Sequence, residues 1–172
     1  MNLRYAFEIA IANEKAMRDL YKDLSKREES EPEVSKFWET MSKHEEGHAK
    51  VLKTIMADLE ADLLRQDVDF EAGTLDQMAA DIEQFCTLLK NKEMSNDEIF
   101  RFAIEMEMCE QNRVFLHLLK KAPENLGKDV YQQMAVPIGR HIKGLLEIVE
   151  KHGKDEKLLL YVRSLRNNAS LQ

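Results

Sequence analysis

The sequence predicts an all-α protein, one domain over residues 1–172 built as an up-down-up-down bundle of four long helices, and three observations carry that prediction. Six glycines and three prolines among 172 residues, with 33% charged side chains, suit long helices rather than a turn-rich β fold. Apolar residues recur at three- and four-residue steps through most of the chain, which is the period of one helical face. Capping signatures of the Ser/Thr-x-x-Glu/Gln type precede several of these runs.

The first helix is expected from Leu3 to Lys26, with Leu3, Phe7, Ala10, Glu14, Met17, Tyr21 and Leu24 along its seam. Glu8 and Asp19 fall off that seam and are assigned to solvent. Ser30-Glu-Pro-Glu33 has the form of a capping box with proline in the first turn, so a second helix is expected over 31–64. Its seam reads Val34, Trp38, Met41, Glu45, His48, Leu52, Ile55 and Leu59. Asp67 to Gly73 reads as a loop. Thr74-Leu-Asp-Gln77 opens a shorter helix over 75–91, taken as an extra connection crossing the end of the bundle. Ser95-Asn-Asp-Glu98 caps the third long helix, 96–121, whose seam holds Phe100, Ala103, Glu107, Glu110, Val114 and Leu118. The fourth, 128–152, carries Tyr131, Met134, Ile138, His141, Leu145 and Ile148 and stops at Gly153. A short C-terminal helix over 156–166 turns Leu159, Val162 and Leu165 inward.

Composition excludes several classes. The formal net charge is −7 with acids and bases interleaved, which argues against a nucleic-acid surface. Cys86 and Cys109 form no Cys-x-x-Cys pair, so neither a disulfide framework nor a thiolate metal knuckle is available within the chain, and a reducing cytoplasm is the simplest compartment. The N-terminus enters an amphipathic pattern directly, so no signal peptide is expected. No apolar run approaches the ~20 residues needed to span a bilayer.

The seams themselves point to chemistry. Glu14, Glu45, His48, Glu107, Glu110 and His141 all occupy stripe positions that should be apolar. A buried ionised carboxylate costs several kcal/mol unless a positive charge accompanies it. Glu45-x-x-His48 places two donor side chains one turn apart on a single helical face. A metal ion is the natural counter-charge. The two halves of the chain also match: Ala10-Ile11-x-x-Glu14 parallels Ala103-Ile104-x-x-Glu107, and both Glu14 to His48 and Glu107 to His141 span 34 residues. That register sets Ile138 opposite Glu45, so the second half lacks the acid of its Glu-x-x-His motif. His44, one turn before His48, falls off the seam and is expected at the surface. His117 and His152 gain no partner from the pattern, and Cys109 and the methionines are assigned to packing.

A Glu from each of two helices and a Glu-x-x-His from each of the other two is the di-iron carboxylate arrangement. With it, the chain resembles the rubrerythrin-like branch of the ferritin-like superfamily over residues 3–152, and Glu107-x-x-Glu110 followed by Phe115 is similar to that branch's pattern, in which the second acid is an extra ligand. The resemblance implies a ferritin-like bundle, metal-ligand positions at Glu14, Glu45, His48, Glu107, Glu110 and His141, and two irons performing peroxide- or dioxygen-linked redox chemistry. Manganese or zinc also suits such nitrogen and oxygen donors. Ile138 and the neighbouring Pro137 depart from the family pattern and weaken the second metal position. The Cys pairs of a rubredoxin-type domain are missing from this sequence, so the expected electron donor is a separate protein. Two other readings compete with the enzyme, namely non-catalytic iron binding or storage, and a degenerate bundle with a structural or partner-binding role. A homodimer is expected by analogy.

Overall fold

The computed structural model describes residues 1–27, 31–67, 74–91, 94–109 and 139–169. The helices are α1 (Leu3–Leu24), α2 (Pro32–Asp58), α3 (Ala61–Leu64), α4 (Thr74–Lys90), α5 (Asn96–Cys109), α6 (139–152) and α7 (Glu156–Ala169). Local chemistry explains most of their starts. Asn2 caps α1 by accepting the Tyr5 N–H at 2.9 Å. Before α5, Ser95 Oγ accepts the Glu98 N–H at 3.3 Å while Glu98 Oε2 accepts the Ser95 N–H at 2.7 Å, a reciprocal capping box. Asp155 opens α7 by accepting the Leu158 N–H at 2.7 Å.

The start of α2 differs from expectation. Its N-cap is Glu31 with Pro32 at the first helical position, and the expected cap, Ser30, lies outside the described residues. The Glu33 carboxylate pairs with Lys151 and, at 3.3 Å, with His152 Nε2 on α6. His152 Nδ1 lies 3.2 Å from Glu31, so this histidine has two acidic partners that the sequence did not reveal.

The end of α2 is also a correction. The helix stops at Asp58 rather than continuing to Leu64, and Leu59 and Glu60 are extended with ψ of 140° and 145°. In an unbroken helix Leu64 would stand about 140° round from Leu59, at 100° per residue. The break lets both leucines enter one apolar cluster with Leu3, Phe7 and Leu75. The returning chain then ties down the start of α1, with the Leu3 N–H donating to Gln66 O at 2.9 Å and Asn2 bridging to Asp67.

Two apolar clusters lie at different levels of the bundle. One takes Leu3 to Ile11 of α1, Leu52 and Ile55 of α2, and Leu75 at the start of α4. The other takes Met17 to Leu24 of α1, Val34 to Met41 of α2, Met78 to Phe85 of α4, Ile99 to Met106 of α5, Leu145 to Val149 of α6, and Leu158 and Val162 of α7. Helix direction follows from cluster membership. α1, α4 and α6 run toward the second cluster and α2 runs away from it, while α5 starts in the second cluster and runs to Glu107, whose carboxylate faces His141 on α6. The short connection α4 therefore does not cross the bundle end. It makes the return leg alongside α1, where Asn13 Nδ2 donates to Leu75 O at 3.2 Å and Tyr5 Oη donates to Asp76 Oδ1 at 3.3 Å. Direction alternates only when α4 is counted, and α2 and α5 run the same way, as one crossover between helix pairs requires.

The closing helix is longer than expected, reaching Ala169, and its deepest residues are Leu158 and Val162, with Leu159 and Leu165 half-buried. Among the described residues, no helix is long and apolar enough to cross a membrane. The expected seam residues Glu110, Val114, Leu118, Tyr131, Met134 and Ile138, together with Pro137 and His117, lie outside the described residues.

Candidate metal centre

A polar layer separates the two apolar clusters. Glu14 on α1, Glu45 and His48 on α2, Glu107 on α5 and His141 on α6 are all buried, and each interrupts an otherwise apolar helical face at this level. Five of the six residues expected at metal-ligand positions thus converge. The sixth, Glu110, is outside the described residues.

Glu45 is the centre of the group. Its Oε2 lies 2.8 Å from His48 Nδ1 and its Oε1 lies 3.7 Å from His141 Nδ1, so one carboxylate faces both imidazoles with a different oxygen. Glu14 Oε2 lies 3.4 Å from His48 Nδ1, and Glu107 Oε2 lies 3.6 Å from His141 Nδ1. Each imidazole therefore has one outer acid and a share of Glu45. Donor atoms of Glu45, His48 and His141 all fall within 4.8 Å of one another.

The electrostatics are those of a site short of positive charge. Burial pushes the Glu14 carboxyl up to about 8, with the Glu107 charge adding to burial and a contact with Glu45 opposing it. Burial likewise holds Glu45 well above the usual carboxylate range, reinforced by Glu107 and Glu14. For His48, burial alone would lower the pKa, but the Glu45 hydrogen bond and the charges of Glu45 and Glu107 raise it on balance. Among the described residues, no lysine or arginine pairs with Glu14, Glu45 or Glu107. Glu14 Oε2, Glu45 Oε1, Glu107 Oε2 and both ring nitrogens of His141 are buried without a hydrogen-bond partner there. Buried polar atoms are seldom left so. Several such atoms facing one another fit a cation, and the carboxylate and imidazole donor set fits a divalent transition metal.

Two features escaped the sequence. Tyr21 reads as a seam residue, yet its hydroxyl donates to Glu107 Oε1 at 2.9 Å and so leaves Oε2 to face His141. Its ring is held by stacking on Trp38 at 5.2 Å, and Trp38 stacks in turn on Phe100 at 5.8 Å. The available signal was that Tyr21 lies two turns from Glu14 on the same seam. His44 is exposed, as expected, but its ring stacks on buried His141. Partial covering of its ring, with the neighbouring His141 and His48, lowers the His44 pKa.

A family model for rubrerythrin matches residues 6–107, more than half of the chain. The chain belongs to the rubrerythrin family. The matched segment carries Glu14, Glu45, His48 and, as its last residue, Glu107, whereas His141 lies beyond it and joins the rubrerythrin cluster through packing. No curated protein and no solved structure matches the chain.

Proposed function

We propose that this rubrerythrin-family chain is a non-haem di-iron oxidoreductase that reduces peroxide or dioxygen with electrons from a separate donor protein. The observation that supports the reading is the two-sided placement of Glu45, with one oxygen toward His48 near Glu14 and the other toward His141 near Glu107, as a carboxylate shared by two metals would require. When bound, a ferrous pair supplies the two electrons that, with two protons, convert hydrogen peroxide into two water molecules.

The chain's own groups account for the rest. Glu14, Glu45 and Glu107 offset most of the charge of two divalent ions, and Glu110 by family resemblance supplies a fourth carboxylate. Burial and the neighbouring acids push the Glu14 and Glu45 carboxyls toward their protonated forms in the metal-free protein, and a cation would take the place of those protons. His48 and His141 serve as neutral nitrogen donors. Tyr21 fixes the orientation of Glu107 through its 2.9 Å hydrogen bond. The apolar clusters on either side, with Ile142 packed against both, restrict water at the polar layer.

The test is anaerobic reconstitution with ferrous iron, elemental analysis, then addition of hydrogen peroxide followed by a reductant. Near two irons per chain, with a change in iron absorption on peroxide that the reductant reverses over repeated cycles, is the expected result. One iron per chain overturns the two-metal reading, many irons per chain favour storage, and no metal with an intact fold favours a structural role.

A further inference from the structure

We propose that His44 is a positioning residue for the metal position at His141, holding the His141 imidazole by the face of its ring and not as a ligand. The proposal rests on the metal-centre reading above. It starts from a contrast between the two buried histidines. His48 is held on its own helix by Glu45, three residues earlier, at 2.8 Å. His141 has no such acid, because the residue in the corresponding place is Ile138.

A metal-ligating histidine ordinarily has its ring fixed by a hydrogen bond from the nitrogen that does not bind the metal. Both nitrogens of His141 are buried without a hydrogen-bond partner among the described residues, and the nearest carboxylate oxygens, on Glu107 and Glu45, stand at 3.6 and 3.7 Å. What does touch the ring is His44, with centroids 4.4 Å apart and planes 2° from parallel. That geometry is an offset stack. His48 lies against the same ring at 5.0 Å with a 32° tilt, so two imidazoles of α2, one turn apart, bracket the orientation of one imidazole of α6.

Ring geometry also decides against a ligand role for His44 in this arrangement. An imidazole lone pair lies in the plane of its ring. Two parallel, separated planes share no point, so stacked His44 and His141 cannot direct lone pairs at one cation. His44 is exposed, and its contribution to the apolar core is correspondingly small.

Titration of metal-free protein with Co(II), read by its visible ligand-field bands and by chelator competition, tests the proposal. His44→Ala is expected to weaken one Co(II) equivalent by about tenfold or more, the usual effect of losing a group that orients a ligand, and to alter that equivalent's spectrum. His44→Phe, which keeps an aromatic face without a nitrogen, is expected to restore most of the affinity and the spectrum. In a His141→Ala background, adding His44→Ala should change nothing further. The melting temperature of the metal-free protein should be the same in wild type and His44→Ala. Wild-type affinity in His44→Ala overturns the proposal, as does a His44→Phe variant as weak as His44→Ala, or an additional loss in the His141→Ala background. Absence of any Co(II) binding by the wild type overturns the metal-centre reading as well, which separates the two failures.

Discussion

The two histidine-bearing sides of the polar layer come from matching halves of the sequence yet are held in different ways. On the α1/α2 side, Glu45 and His48 meet on one helix at 2.8 Å, and Glu14 approaches the same nitrogen at 3.4 Å. On the α5/α6 side, His141 stands 3.6 Å from Glu107 and 3.7 Å from Glu45, and Glu107 has one oxygen engaged by Tyr21. The first side is organised within a helix and the second between helices. The difference teaches that where the sequence has Ile138 in place of an acid three residues before the histidine, acids and a stacked ring from other helices face that histidine instead.

Breaking the shared element should have the largest effect. Glu45→Ala removes an acid from both sides at once and is expected to abolish stoichiometric iron binding, measured as metal per chain after reconstitution. Loss of a single iron, with the other retained, would show that Glu45 serves one side only.

Next in size is the pH response of the metal-free protein. Glu14 in the folded chain has a pKa of about 8, against an ordinary value of 4.5. The folded state therefore binds the proton more tightly than the unfolded state. That stabilisation is complete below about pH 4.5 and is lost as pH rises through 8, a change of a few kcal/mol for one fully buried acid. Thermal melts of metal-free protein should show a falling melting temperature from pH 6 to 9. Metal displaces these protons, so iron affinity should rise over the same range. A flat melting profile would mean that Glu14 carries no uncompensated charge.

Ile138→Glu restores the acid of the second Glu-x-x-His motif and is expected to raise iron content at the His141 side, measured by elemental analysis at limiting iron. Unchanged content would implicate the neighbouring Pro137, which removes a backbone donor. The smallest effect expected is that of Tyr21→Phe. It deletes one hydrogen bond to a charged group, worth about 1.5 to 3 kcal/mol at most, and should weaken the α5/α6 side while leaving the α1/α2 side unchanged. Equal weakening of both sides would place Tyr21's influence on the layer as a whole.

Much of this arrangement was legible before any tertiary structure. Glu14, Glu45, His48, Glu107 and His141 stand out because each interrupts an apolar stripe, and the 34-residue repeat aligns them at one level. The capping box at Ser95 and Glu98 was readable for the same reason, since both partners lie within one turn. Other features depend on residues far apart in the chain. Glu33 has Lys151 and His152 of α6 as partners that its place in a local motif does not reveal, and His44 looked merely exposed until α6 brought His141 beneath its ring.

The sequence by itself determined the all-α class, the helical faces and the identity of the buried acids and imidazoles, because periodicity, capping and burial cost act over a turn or two of one helix. Tertiary packing alone decided that α4 returns along α1, that α2 breaks at Leu59, that Glu45 turns one oxygen to each histidine, and that Tyr21 and His44 attend the far side of the layer. Those outcomes depend on which helices meet and at what rotation about their axes, and a local pattern does not encode the rotation of its neighbours.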